Sequence, residues 1–164
     1  MRIRYEIILW TSSFLKCIPG NIGCYVRKLF LPVKSGNNVK IWDHVHIDSP
    51  SKLTIGNNVS INRNCILHAG GKIVIGNDVL IGPNVTIYSQ NHLFSDKLMK
   101  IREQGYNTKK VIIGNNVWIA SNVLILPGVT IGNNCVIAAG TIVSKSIPDN
   151  LIVRNKIELV STNL

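Results

Sequence analysis

The sequence predicts an all-β fold, a parallel β-helix in which short strands wind into a three-sided column. Three observations carry the prediction. Aliphatic residues recur at every sixth position over most of the chain, the blocks they form open on nearly the same words, and Gly and Asn hold fixed places inside each block.

The blocks place aliphatics at Ile55, Ile61 and Leu67, at Ile75, Ile81 and Ile87, at Ile113, Ile119 and Ile125, and at Ile131, Ile137 and Val143. They open with IGNNVS, IGNDVL, IGNNVW and IGNNCV. A weaker block, SGNNVK at 35 with Ile41 and Ile47, precedes them and brings the count to about five coils. An α-helix would spread a six-residue period around its cylinder, and Gly with β-branched residues makes a poor helix. A strand accepts the period. The first and fifth residues of a hexad, such as Ile113 and Val117, point to one face, and Gly and Asn supply corners where positive φ is cheap. Three flat segments close a triangle, and stacked triangles satisfy backbone donors between coils.

Taken in order, the chain divides into three segments. Residues 1–34 are basic, apolar and expected to be helical. Seven of the 18 Lys and Arg, but only Glu6 of the eight acids, fall in residues 1–40, so the formal charge of +10 is concentrated there. The apolar run Ile7–Trp10 and Phe14–Leu15 is broken by Thr11, Ser12 and Ser13, short of the roughly 18 apolar residues a membrane span needs. It has no small-residue cleavage site, and it reads as a packing helix or as a membrane-surface anchor. Residues 35–150 form the β-helix domain. From Ile87 to Ile113 the chain advances 26 positions where one hexad needs six, so about 20 residues, 93–112, must leave the column as an extruded loop. That loop reads as a surface excursion or as an arm over a site. Residues 151–164 are the expected C-terminal tail.

The stretch IGNNVWIASNVLILPGVTIGNNCVIAAGTIVSKSIPDN, preceded by a long loop opening with Asn91-His92, resembles the hexapeptide-repeat acyltransferases over about residues 35–150. Within them it is most similar to the branch of maltose and galactoside O-acetyltransferases and of capsule and O-antigen O-acetyltransferases. The resemblance implies a left-handed coil, a homotrimer with active sites between neighbouring columns, and acetyl-CoA as acyl donor. It implies His92 as catalytic general base, since an imidazole poised near neutrality can take the proton of a sugar hydroxyl. It places Asn62 and Trp118 at the carbohydrate acceptor, Asn62 from an adjacent subunit. It places Ser121, Ala139, Ser144 and Lys145 along the coenzyme A groove. The family's C-terminal GGNPA(K/R) segment reads Ile152-Val153-Arg154-Asn155-Lys156 here, which makes Arg154 or Lys156 the substitute for its basic residue.

The implied activity is O-acetylation of a sugar hydroxyl in bacterial surface polysaccharide synthesis, in the cytoplasm or at the inner face of the membrane. Amino-sugar N-acylation and serine O-acetylation use the same column and stay open. A γ-carbonic-anhydrase-like zinc site needs further histidines near the loop, and 93–112 contains none, so no metal is expected. His44, His46 and His68 fall on outward or corner positions and read as structural. A non-catalytic, ice-binding column would need a ladder of outward threonines, and Thr54, Thr86, Thr130 and Thr141 share no column. Nucleic acid is not expected as a partner, because the basic residues lie mainly outside the repeat without interleaved aromatics. Cys17, Cys24, Cys65 and Cys135 form no CxxC pair and fit a reducing compartment.

Overall fold

The structure, a computed structural model, describes residues 10, 11 and 13–155 of the 164. Three parallel sheets form the walls of a column. The first wall holds Lys34–Ser35, Leu53–Ile55, Ile73–Ile75, Val111–Ile113 and Thr130–Ile131. The second holds Lys40–Ile41, Ser60–Ile61, Val79–Ile81, Val117–Ile119, Val136–Ile137 and Ile152–Val153. The third holds His46–Asp48, Ile66–His68, Thr86–Tyr88, Leu124–Ile125 and Ile142–Val143. Each coil visits the walls in turn, so Ile75 lies in register with Ile55 and Ile113, and Ile119 with Ile81 and Ile137.

The periodic aliphatics fill the interior. Ile61, Ile87, Ile119 and Ile137 are fully buried, and Ile113 and Val117, the first and fifth residues of one hexad, are 1% and 2% exposed. Burying such a side chain is worth about 1.5–3 kcal/mol, so the ladder is the main source of stability.

The expected five coils are present, and a sixth begins. Ile147 bridges to Ile131, and Ile152–Val153 pairs with Val136–Ile137. The strand Ile152–Val153 lies within the segment expected as the tail, where it satisfies backbone groups of the last full coil. The two coils that run 20 rather than 18 residues absorb the surplus in short 3-10 turns at Pro50–Lys52 and Ala69–Gly71.

The corners refine the sequence reading. Positive φ at the corner between the first and second walls is carried by Asn38, Asn58, Asp78, Asn116, Asn134 and Asn150, not by the glycines. The glycine two positions earlier is required by stacking. A Cβ on Gly56 would lie 2.6 Å from the Gly76 carbonyl oxygen, and one on Gly76 would lie 2.6 Å from that of Gly114. The middle asparagines form a ladder in which the backbone N–H of Asn57 donates to Asn77 Oδ1, Asn77 to Asn115, and Asn115 to Asn133, each at 2.8 Å. Asp149 ends it, its Oδ1 accepting from the Asn133 N–H at 2.8 Å. These hydrogen bonds hold the Asp149 carboxyl below its ordinary range.

Helix Gly20–Phe30 closes the open end of the first coil. It buries Gly23, Cys24 and Arg27, so the N-terminal segment does pack on the column. The Arg27 guanidinium, 1% exposed, donates to the carbonyls of Ile41 (2.7 Å), Leu15 (2.7 Å) and Ile18 (2.8 Å). A buried charge is tolerable there because three carbonyl dipoles take the place of water. The opposite side of the helix leaves Ile22, Tyr25 and Leu29 exposed. The expectations for residues 1–9, with Arg2, Arg4 and Glu6, lie outside the described residues.

Candidate active site

The third corner, between the third and first walls, carries the extrusion. It is a hairpin on a stem. Gln90–His92 pairs antiparallel with Tyr106–Thr108, so the chain leaves the column at Gln90, ahead of the expected 93, and is back on the first wall at Val111. The early departure follows from Ser89, a buried residue the sequence reading did not single out. Its Oγ donates to the His68 carbonyl (2.6 Å) and accepts from the Gly71 N–H (2.9 Å), while its carbonyl accepts from the Lys109 N–H (2.8 Å). Gly71 passes close beneath: a Cβ there would meet the Ser89 carbonyl oxygen at 2.1 Å. The tip is held by Gln104, whose Nε2 donates to the carbonyls of Asp96 and Met99 at 2.8 Å each. Phe94, Leu98 and Ile101 are exposed on it.

His92 is exposed on the stem, and its ring lies 4.4 Å from that of Tyr106, its register partner. This pairing has no signature in a linear reading, because the two residues are fourteen positions apart across an irregular tip. An imidazole on a hydrogen-bonded stem, with one face covered by an aromatic ring and the rest open, is placed to exchange a proton with a ligand.

The second corner, between the second and third walls, holds Asn62, Ser121 and Ala139. Asn62 belongs to the second coil, where its Oδ1 accepts from the Arg63 N–H at 2.8 Å. Arg63 next to it pairs with Asp43 (3.0 Å) and lies over the Trp42 ring. Burial alone would raise the Asp43 carboxyl, but a backbone hydrogen bond and the Arg63 guanidinium hold it below its ordinary range. Ser121 and Ala139 stack on successive coils, the Gly140 N–H donating to the Ser121 carbonyl at 3.0 Å. Ala120, Ser121, Ala138, Ala139 and Gly140 leave this corner low, and nothing lies within 4 Å of the position a Cβ would take on Gly140. Such a strip of small residues suits an extended chain such as pantetheine lying along the column. Trp118, 53% exposed, stands on the second wall in register with Leu80 and Val136.

Ser144 and Lys145 are exposed at the third corner, two coils beyond the hairpin, about 10 Å along the axis. Arg154 is exposed just after the Ile152–Val153 strand, and Lys156 lies outside the described residues. One chain thus gathers His92, Ser144 and Lys145 at one corner and Asn62, Ser121 and Ala139 at another, with the third wall between them. On that wall His46 and His68 are tied through one carboxylate. His46 Nε2 is 2.8 Å from Asp48 Oδ1, His68 Nδ1 meets Asp48 Oδ2, and the His68 ring stacks on Tyr88. Among the described residues no group of three His, Cys, Asp or Glu is arranged to hold a metal ion.

Residues 110–145 match the bacterial transferase hexapeptide family (six repeats). A galactoside O-acetyltransferase of Lactococcus lactis is 52% identical over 68 residues, 42% of this chain and 32% of that protein. The chain thus matches about a third or less of the length of the curated galactoside O-acetyltransferases. The likeness to solved structures is longer. A galactoside acetyltransferase in complex with coenzyme A is 34% identical with a TM-score of 0.75, covering 92% of this chain and 74% of that one. A hexapeptide-repeat acetyltransferase from Vibrio cholerae, in complex with acetyl coenzyme A, is 29% identical with a TM-score of 0.73, covering 90% and 82%. The column is a left-handed parallel β-helix, and the chain belongs to the hexapeptide-repeat acetyltransferases.

Proposed function

We propose that the protein transfers an acetyl group from acetyl-CoA to a hydroxyl of a sugar acceptor, with His92 as general base. The observation that carries the reading is the hairpin stem, which holds the imidazole against Tyr106 and open to a ligand. His92 takes the hydroxyl proton as the oxygen attacks the thioester carbonyl. The C–S bond then breaks, the acetyl group remains on the sugar oxygen, and the thiolate leaves with a proton as free coenzyme A. General-base help of this kind is worth about 10² to 10⁴ in rate.

The two solved relatives named above hold coenzyme A or acetyl coenzyme A, and the low corner strip of Ser121 and Ala139 fits the same donor here. Ser144 and Lys145, at the third corner, extend the donor site from the neighbouring chain, and Arg154 or Lys156 meets the coenzyme phosphates. Asn62 and Trp118 bind the acceptor. Because His92 and Asn62 stand at different corners of one column, a complete site takes His92 from one chain and Asn62 from its neighbour in a homotrimer. The acceptor belongs to a surface polysaccharide or its precursor, and the enzyme works in the cytoplasm at the inner membrane face. Exposed Ile22, Tyr25 and Leu29 beside Lys28, on a strongly basic N-terminal segment, suit an anionic membrane surface.

The test is thiol release from acetyl-CoA against a panel of sugars and polysaccharide fragments, with amino sugars and serine as comparison acceptors. His92→Ala is expected to lose about 10²-fold or more in kcat with its thermal transition unchanged. Turnover that survives the substitution sinks the role of His92, and preference for an amino acceptor replaces O- with N-acetylation.

A further inference from the structure

Two cavities adjoin at the N-terminal end of the column. The larger, about 790 Å³, lies between the N-terminal helical residues and the first coil, lined mainly by apolar side chains, among them Trp10, Phe14, Phe30, Leu31, Val45 and Ile47. The smaller, about 420 Å³, opens on the third corner, where Lys34, Ser51, Lys52, Thr54, Lys72 and Thr108 line it. One turn separates them, since Ser49 and Pro50 line the first while Ser51 and Lys52 line the second. Thr108 pairs with Gln90, two residues or about 7 Å of strand from His92.

The lysines of the smaller cavity are placed at a cost. In-register pairing of Leu53, Ile73 and Val111 puts Lys52, Lys72 and Lys110 at equivalent positions of three successive coils, where like charges repel. Among the described residues none of Lys34, Lys52 and Lys72 has a carboxylate in ion-pair contact, and the Lys52 ammonium is held over the cavity by donating to the Gly70 carbonyl at 2.7 Å. Lys72 also has φ +80°, and every other described non-glycine residue at positive φ is an Asn, Asp, His or Ser. Glycine would sit there without strain. A long cation kept in a conformation that disfavours it, within a column of cations, marks a site for an anion.

We infer that the acceptor sugar arrives on a lipid phosphate. The hydrocarbon occupies the apolar cavity, the phosphate rests on Lys34, Lys52 and Lys72, and the sugar lies under the hairpin at His92. The order tail, phosphate, sugar matches the order apolar cavity, lysine cavity, imidazole along the column. Charge complementarity selects this occupant over a neutral amphiphile. The inference rests on the acetyltransferase reading and names the class of its acceptor.

Calorimetric titration of the full chain with inorganic phosphate, dodecyl phosphate and neutral dodecyl maltoside, each below its micellar concentration, tests it. Dodecyl phosphate is expected to bind about a hundredfold tighter than either of the others. Phe14→Ser removes the contribution of the tail, and Lys52→Ala with Lys72→Ala that of the phosphate. Lys72→Gly relieves the backbone strain, so it raises the melting temperature while weakening dodecyl phosphate about tenfold, a pair of effects that misfolding cannot produce. Equal binding of the three probes, or dodecyl phosphate binding indifferent to the lysines, overturns the inference. So does sedimentation with phosphatidylglycerol vesicles without binding of monomeric dodecyl phosphate, which would mark a membrane surface instead. A cavity closed by a second copy of the chain would show no dependence on the alkyl tail and overturns it equally. Coenzyme A binding, measured on the same samples, separates the two readings: a protein that binds coenzyme A but not dodecyl phosphate loses only this inference, and one that binds no coenzyme A loses the acetyltransferase reading as well.

Discussion

His92 and Tyr106 are register partners across the hairpin stem, their rings 4.4 Å apart and inclined by 36°. The contact fixes one face of the imidazole and leaves its nitrogens to solvent or ligand. Tyr106→Phe keeps the ring and is expected to retain near-native turnover. Tyr106→Ala frees the imidazole to swing and is expected to lower kcat about 10- to 100-fold. Thiol-release kinetics on both variants decide the matter, and equal losses would show that the phenol hydroxyl, not the ring contact, matters.

Gly71 ties the stem to the column below it. With a Cβ only 2.1 Å from the Ser89 carbonyl, Gly71→Ala must displace the stem base, at a cost of about 1–3 kcal/mol. The coil ladders are elsewhere, so the expected outcome is faster proteolysis between 93 and 105 and lower activity. The column itself should keep its far-UV signature.

Asp149 ends the asparagine ladder with its carboxyl held below the ordinary 3.8 by hydrogen bonds from Asn133. A depressed folded pKa means that its stabilisation is whole above 3.8 and drains away as pH falls through the lower folded value. Asp149→Asn keeps an acceptor for the ladder but cannot titrate. Its melting temperature should lie below that of the wild type near neutrality, where the ionised carboxylate contributes, and converge with it below about pH 4. Parallel acid profiles would show that the carboxylate carries no such linkage.

Of the four cysteines, Cys17 is exposed and Cys24, Cys65 and Cys135 are buried. Burial pushes the Cys65 thiol up from 9.0 to about 11. At mildly alkaline pH a thiol reagent should therefore label one cysteine quickly and the other three only in denaturant. Because the folded value is the higher one, the contribution of Cys65 to stability is complete below 9.0 and is lost as pH rises toward 11. Rapid labelling of all four would place the buried thiols at the surface.

The walls of the column were legible in the sequence because their determinants are periodic. Ile55, Ile75 and Ile113 announce their stacking by spacing alone, and the surplus between Ile87 and Ile113 announces the extrusion. What the spacing hid was set by contacts between coils or across the loop. The glycines of the repeated words serve close stacking, which only the next coil reveals. Ser89 and Tyr106 gain their roles from hydrogen bonds and register that no period encodes. The start of the sixth coil lies outside the period, because Ile147 follows Ile131 by 16 residues. At the site, the family motif pointed to His92, but motif alone does not show that one chain parts its candidates between two corners.

The asparagine ladder also makes the molecule a measuring rod. Each rung repeats the one beneath it, with Asn57 bonded to Asn77 as Asn77 is to Asn115. Duplicating residues 56–75 would insert one more rung, about 4.8 Å, without disturbing the packing on either side. Helix Gly20–Phe30 would then sit one notch farther from His92, and an acceptor anchored as inferred above would need a spacer longer by that one rung to meet the imidazole.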